Sequence, residues 1–363
     1  MRELVIVVAD LYLGPEPGLR MAPARAAAEA AAAIAGSRAG AAPDAAPGLE
    51  HLTRFGDKCM LTQGWRAWVA CWLGLPQYAA AAPATVAAAA AAGLPVNGTV
   101  WLATPVHLVA GMTGVHSDRR SLLRLAASAA ETLAASFADT FRGSGLDLHP
   151  LQSGELLLSG PAASAAAITT EPARLLLRPI AESLPAGEGA TSLRRLGAEI
   201  EMWLHAHPLN EQRMRRGEPS VSTLWLWGGG PSVPAGGEVA QASAAAAFGS
   251  DAYVQGLWRL AGGESRPLPV DWAALIGEPR APRALGVVEV AELLHAHSSW
   301  RLADAVAAID RRLMAPALAA LRQGRLDRLV LLANDRCLSL RAASRWRLWR
   351  HLRTVPRGVE GLA

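Results

Sequence analysis

Residues Leu4–Ala9 form an unbroken apolar run, Leu-Val-Ile-Val-Val-Ala, that ends at Asp10. A strand with one wet face would alternate polar and apolar residues, and this run does not. It predicts a strand covered on both faces, as inside a parallel sheet flanked by helices. An acid just past the C-terminal end of such a strand stands where open α/β sheets place their ligands. A Gly/Pro-rich loop follows at Gly14–Gly18, then an alanine-rich helix over 23–35 and a low-complexity loop over 36–48.

Further along, Trp65–Leu75 has apolar residues at helical spacing, with Gly74 and Pro76 as its stop. Thr99–Ala103 reads as a strand and Ser121–Phe141 as a long helix. Glu155–Ser159 and Arg174–Leu177 read as short strands. Leu193–His207 puts Leu193, Leu196, Ile200, Trp203 and Leu204 on one helical face, and His207-Pro208 closes it. Thr223–Trp227 is a strand running into Gly228–Gly230. Leu285–Leu294, Arg328–Leu332 and Cys337–Leu340 are further strand candidates. Trp300–Leu321 is helical, with Pro316 as a kink or break. The two ends therefore read as an α/β core with a mainly parallel sheet, and the middle as an inserted α+β lobe. No repeat of fixed period is present.

The chain has 363 residues and is 51% hydrophobic, enough for a sizeable core. Much of that fraction is alanine, which buries little area, so the core must lean on Leu, Val and the twelve Trp. Lys58 is the single lysine, a bias expected of a GC-rich genome. The net charge of +4 is spread along the chain. Its densest basic stretch is Arg341–Arg353, around Trp346 and Trp349. Such a segment could bind nucleic acid or an anionic membrane. A terminal helix that packs its tryptophans and solvates its arginines is the favoured reading, so neither partner is expected. Cys59, Cys71 and Cys337 are odd in number and widely spaced, without a CxxC, which fits a reduced cytoplasm rather than a zinc knuckle or disulfide framework. No apolar stretch approaches the roughly twenty residues of a membrane span.

The most informative segment is His205–Gly230, HAHPLNEQRMRRGEPSVSTLWLWGGG. His207, Asn210 and Arg213 make a donor-rich cluster, and a guanidinium fork suits phosphate or carboxylate. The plainer reading has His207 and Asn210 capping a helix end and the arginines solvated. Likewise Gly228–Gly230 reads as an anion-binding turn or, more simply, a tight exit from a strand. No GxSxG, P-loop, GxGxxG or HExxH motif occurs.

In this segment His207, Pro208, Asn210, Arg213, Gly217 and Pro219 follow one another as in archaeal-type cofactor-independent phosphoglycerate mutases, which the chain resembles. The closing Trp225–Gly230 stretch, WLWGGG, resembles a bacterial branch of that group, the RpfE-type regulatory proteins. Glu199–His207, Trp101–His107 and the Arg/Trp-rich tail agree with it. The resemblance implies an alkaline-phosphatase-like core, here 1–105 with 222–363, and an inserted α+β lobe at 106–221.

It also implies an inventory: two divalent metals (Mn, Zn or Mg) held by Asp and His, and a serine nucleophile. Asp10 matches the first metal aspartate. Where the nucleophile is expected the chain has Gly64-Trp65-Arg66-Ala67, with Thr62 out of register. Where an Asp-His pair is expected, Asp335 is followed by Arg336. His351 lies in the tail, and His295 and His297 lie too early. The expectation is thus a dismantled site with Asp10 and Asp335 as vestigial metal ligands, Asp10 being paired with an arginine such as Arg66 or Arg336. His207, Asn210 and Arg213 would hold a phosphorylated or carboxylated metabolite in a regulatory protein. The alternative is an active metal-dependent mutase or phosphohydrolase.

Overall fold

The structure is a computed structural model that describes residues 2–11, 46–91, 98–112, 114–118, 120–161, 167–175, 179–231, 245–277, 281–333 and 335–342. The Gly14–Gly18 loop, the 23–35 helix, most of the 36–48 loop, and the tail from 343 with His351 lie outside the described residues. The chain forms two compact units: 1–68 with 243–249 and 266–363, and 69–242 with 250–265.

The first unit is built on a seven-stranded sheet. Its order is Ser265–Arg266, Ala245–Phe248, Arg283–Val288, Glu3–Val8, Arg328–Ala333, Arg336–Arg341, Asp57–Met60. Ala245–Phe248, Arg283–Val288, Glu3–Val8 and Arg328–Ala333 are mutually parallel, while Arg336–Arg341 and Asp57–Met60 continue antiparallel. Glu3–Val8 lies centrally and is buried at every position, as its apolar run requires. Leu4, Ile6 and Val8 pack into one core with Leu329, Leu331, Val306 and Ile309. At the N-terminal end of this strand, Glu3 Oε1 meets Arg328 at 2.9 Å and Oε2 meets Arg283 at 3.8 Å, each arginine being its pairing residue on a neighbouring strand.

Two expectations are corrected here. Leu285–Leu294 is not one strand: the strand is Arg283–Val288, and Val290–Ala296 is a helix. Pro47 and Gly48, expected in a loop, open the helix Pro47–Phe55. The Trp300–Leu321 helix is a composite. Leu302–Ile309 is α-helical, Asp310–Met314 is a π turn, and Ala315–Arg322 resumes the α-helix. Pro316 lacks an N–H and crowds the preceding turn, which a widened turn accommodates.

The second unit holds an antiparallel sheet in the order Asp147–Pro150, Leu156–Gly160, Thr99–Val106, Thr223–Pro231. The boundaries expected at 105 and 222 fall inside this unit, because Thr99–Val106 pairs along its length with Thr223–Pro231 rather than with the parallel sheet. Side chains alternate between two cores. Trp101, Ala103, Leu224 and Leu226 face helices Ala127–Thr140 and Ala190–His205. Val100, Leu102, Trp225 and Trp227 face Ala84, Ala87 and Ala252. The indole N–H of Trp227 donates to Thr104 Oγ1 at 2.9 Å and that of Trp225 to the Thr170 carbonyl at 2.8 Å, satisfying the polar edge of each large ring. Helix Ala127–Thr140 starts later than expected, since Leu122 bridges to Val106 instead. Arg174–Leu177 is also corrected: Pro172–Arg174 is a 3₁₀ turn, and 176–178 lie outside the described residues.

Helices Pro83–Ala88 and Ala252–Leu260 meet backbone to backbone at Gly256, where a Cβ would collide with the Val86 carbonyl oxygen. Neither backbone is a flexible end that can swing aside. We expect Gly256→Ala to lower stability by about 1–3 kcal/mol, measured by chemical denaturation.

Candidate functional site

In the first unit, the C-terminal ends of the parallel strands form the edge where such sheets place ligands. Asp10 lies two residues past Val8 and Asp335 two past Ala333, and Val8 and Ala333 are paired in register. The topology thus brings both sequence-predicted aspartates to one edge, on neighbouring strands. Asn334, between Ala333 and Asp335, lies outside the described residues.

Asp10 is buried, with 4% of its surface exposed. Its Oδ1 accepts from the Val290 N–H at 2.6 Å and its Oδ2 from the Ala291 N–H at 2.7 Å. Those amides open the helix Val290–Ala296, whose own N-cap residue, Glu289, makes no side-chain capping bond. Asp10 therefore caps that helix from another strand. Burial, and secondly the charge of Glu289, raise its pKa from 3.8 to about 6, while the amide bonds pull it down. The expected pairing with Arg66 or Arg336 is corrected: among the described residues the hydrogen-bond partners of Asp10 are backbone amides.

Asp335 turns the hairpin between Arg328–Ala333 and Arg336–Arg341, and its carbonyl accepts from Leu61 N–H at 2.6 Å. Arg336 beside it is half-buried; burial lowers its pKa and Asp335 raises it. Trp65 is buried with the Arg66 guanidinium 4.4 Å from its ring centroid, and Thr62 is exposed. His295 and His297 are exposed, His297 stacking on Trp300 at 3.8 Å.

In the second unit, His207, Asn210 and Arg213 come together around the helix Pro208–Arg215. His207 Nδ1 accepts from the Leu209 N–H at 3.1 Å, so His207 caps the start of this helix rather than the end of the one before. Burial lowers its pKa, which favours the neutral ring this bond requires. Asn210 is buried; its Nδ2 donates to the carbonyls of Leu204 at 2.8 Å and Val221 at 2.9 Å. Its Oδ1 accepts from Val221 N–H at 2.7 Å. Arg213 donates from Nε to the Pro219 carbonyl at 2.7 Å and pairs with Glu218 at 3.1 Å. These bonds staple residues 218–221 back onto two helix ends. They account for the segment without an anion, although these two contacts of Arg213 engage only part of a guanidinium's five N–H donors. Gly228–Gly230 is neither a turn nor an exit: it continues the strand Thr223–Pro231, and the Gly228 N–H donates to Thr169 Oγ1 at 3.0 Å.

Sequence reasoning missed two more carboxylates that act as Asp10 does. Asp310, fully buried in the π turn, accepts from the N–H groups of Gly48 and Leu49 at 3.1 and 2.6 Å. Glu155 accepts from the Ala252 N–H at 2.7 Å and pairs with Arg124 at 3.5 Å. The one local signal for Asp310 was a helix start, Ala46-Pro47, that carries no capping side chain of its own.

No family model matches the chain. The 2,3-bisphosphoglycerate-independent phosphoglycerate mutase of Methanothrix thermoacetophila is 33% identical over 66 residues, 18% of this chain and 17% of that protein. The chain is similar to the cofactor-independent phosphoglycerate mutases. The match spans about a sixth of that relative's length. A cofactor-independent phosphoglycerate mutase from Thermoplasma acidophilum superposes over 94% of this chain and 90% of its own, at TM-score 0.37 and 15% identity. The PH0037 protein from Pyrococcus horikoshii does so over 94% and 87%, at TM-score 0.46 and 14% identity. Likenesses of that degree say nothing of a site.

A mutase-like pair of cations needs several carboxylates and imidazoles aimed at one point. Among the described residues no three His, Cys, Asp or Glu side chains gather in that way. The described donor set does not fit a two-metal centre.

Proposed function

We propose that the protein is a phosphoglycerate-mutase-like regulatory protein of the RpfE type, with an alkaline-phosphatase-like core, an inserted lobe and a dismantled phosphoryl-transfer site. In this reading it is cytoplasmic and senses a phosphorylated or carboxylated metabolite. The observation that carries it is the geometry of Asp10. Its two oxygens accept from the N–H groups of Val290 and Ala291, which gives this acid a structural task as the cap of a helix. The 66-residue match to a mutase supports the relationship, and the buried Trp65 and the Arg336 beside Asp335 support loss of the nucleophile and of a metal histidine. Arg213 would supply its remaining N–H donors to the metabolite.

The test combines metal analysis of the purified protein, mutase and phosphatase assays with Mn, Zn or Mg, and thermal shift with 3-phosphoglycerate. We expect no stoichiometric metal, no turnover that a chelator abolishes, and a ligand-induced rise in melting temperature that Arg213→Ala diminishes. Stoichiometric metal with chelator-sensitive turnover would instead establish the active mutase or phosphohydrolase. No stabilisation by any phosphorylated acid would end the sensing role.

A further inference from the structure

Three cysteines far apart in sequence become a pair and a single in the fold. Cys71 is exposed on the helix Gly64–Leu73. Cys59 is exposed on the sheet's last strand, Asp57–Met60, and Cys337 is buried on the strand beside it. In that antiparallel pair Cys337 lies directly opposite Cys59. Opposed residues of antiparallel strands have Cα atoms about 4.5 or 5.5 Å apart and side chains on one face. Both separations fall within the roughly 4.4–6.8 Å that a disulfide bridges. That register sets both thiols on one face of the ladder, side by side.

We propose that Cys59 and Cys337 form a redox-sensitive pair that closes into a cross-strand disulfide and fastens the edge strand Asp57–Met60 to the sheet. All four residues of that strand are exposed, so little apolar burial holds it in place. The ladder to Arg336–Arg341 and the adjoining Leu61–Asp335 bond tie it to the sheet. A covalent link across that ladder changes the strand from one that frays to one that cannot leave. Reversible links of this kind are the usual form of disulfide in a reducing compartment.

The chemistry balances with a peroxide as oxidant. The exposed Cys59 sulfur attacks one peroxide oxygen; the O–O bond breaks, water leaves, and Cys59 becomes a sulfenic acid. The Cys337 sulfur then attacks the Cys59 sulfur. The S–O bond breaks, the hydroxyl leaves as water with the Cys337 proton, and the S–S bond forms. Two thiols are oxidised, one peroxide is reduced, and two waters result. The order of events follows from exposure. In addition, burial and the neighbouring Cys59 push the Cys337 thiol up to about 12, which keeps it protonated and leaves the first attack on peroxide to the exposed Cys59.

The experiment treats the reduced full-length protein with hydrogen peroxide, alkylates the remaining thiols after unfolding, and maps the peptides by mass spectrometry. We expect a peptide joined through Cys59 and Cys337, Cys71 alkylated, and free thiols falling from three to one. Cys71→Ser should form the same link and fall from two thiols to none. Amide exchange across 57–60 should slow about tenfold or more on oxidation, and dithiothreitol should reverse it. Cys59 found as sulfinic acid beside an alkylated Cys337, a link through Cys71, or unchanged exchange across 57–60 would overturn the proposal.

Discussion

Asn210→Ala is expected to cost the folded protein about 3–5 kcal/mol, seen as a fall in the denaturation midpoint of the second unit. Asn210 makes three bonds at 2.7–2.9 Å from a buried position. Alanine keeps none of them and leaves both backbone groups of Val221 without a partner, while the Leu204 carbonyl keeps the backbone N–H groups of Ala206 and His207. Val221 is itself fully buried, so water is poorly placed to replace the amide. Each buried polar group left unsatisfied costs about 1–3 kcal/mol, and partial relaxation keeps the total below the sum. An asparagine kept for ligand binding would behave differently: its alanine variant would fold with near-normal stability and lose only affinity. That outcome would return Asn210 to the anion site that its residue type alone first indicated.

Asp10→Ala should cost about 2–4 kcal/mol near pH 5, because the Val290 and Ala291 amides then sit buried without an acceptor. The cost should shrink by about 1 kcal/mol between about pH 5 and pH 7. The folded carboxyl titrates at about 6 and the unfolded one near 3.8. Between those values the folded state holds the proton that the unfolded state has released, so this carboxyl's contribution is largest below that window and is lost as pH rises through about 6. Denaturation of wild type and variant across the range isolates the effect from other titrating groups. A cost independent of pH would mean that Asp10 stays ionised throughout, as an acid facing a cation does, and would argue against the dismantled site.

These two residues also show what the sequence could convey. The strand at Glu3–Val8 was legible because burial on both faces leaves a uniform apolar run. The helix Val290–Ala296 was read as strand because the acid that opens it lies 280 residues away, and Val287, Val288 and Val290 run on locally as a strand would. The segment around His207 displayed its residue types but not their partners: Asn210 is held by Val221, eleven positions on. The limits of the two units were hard to read for a similar reason. The strand Thr99–Val106 looks alike in a parallel or an antiparallel sheet, and only its pairing with Thr223–Pro231 places it. Cys59 and Cys337 gave no signal of proximity, since neither spacing nor an even count linked them.

The central strand raises a problem of alignment that its two acids solve. A strand that is apolar on both faces gains nothing from alternation, so sliding it by one residue along its neighbours would bury nearly the same side chains. Glu3 and Asp10 make such a slide costly. Moving the strand would separate Glu3 from Arg283 and Arg328 at one end and Asp10 from its helix at the other. A carboxylate at each end thus acts as an index mark, and an insertion or deletion between residues 4 and 9 would set the two marks against each other.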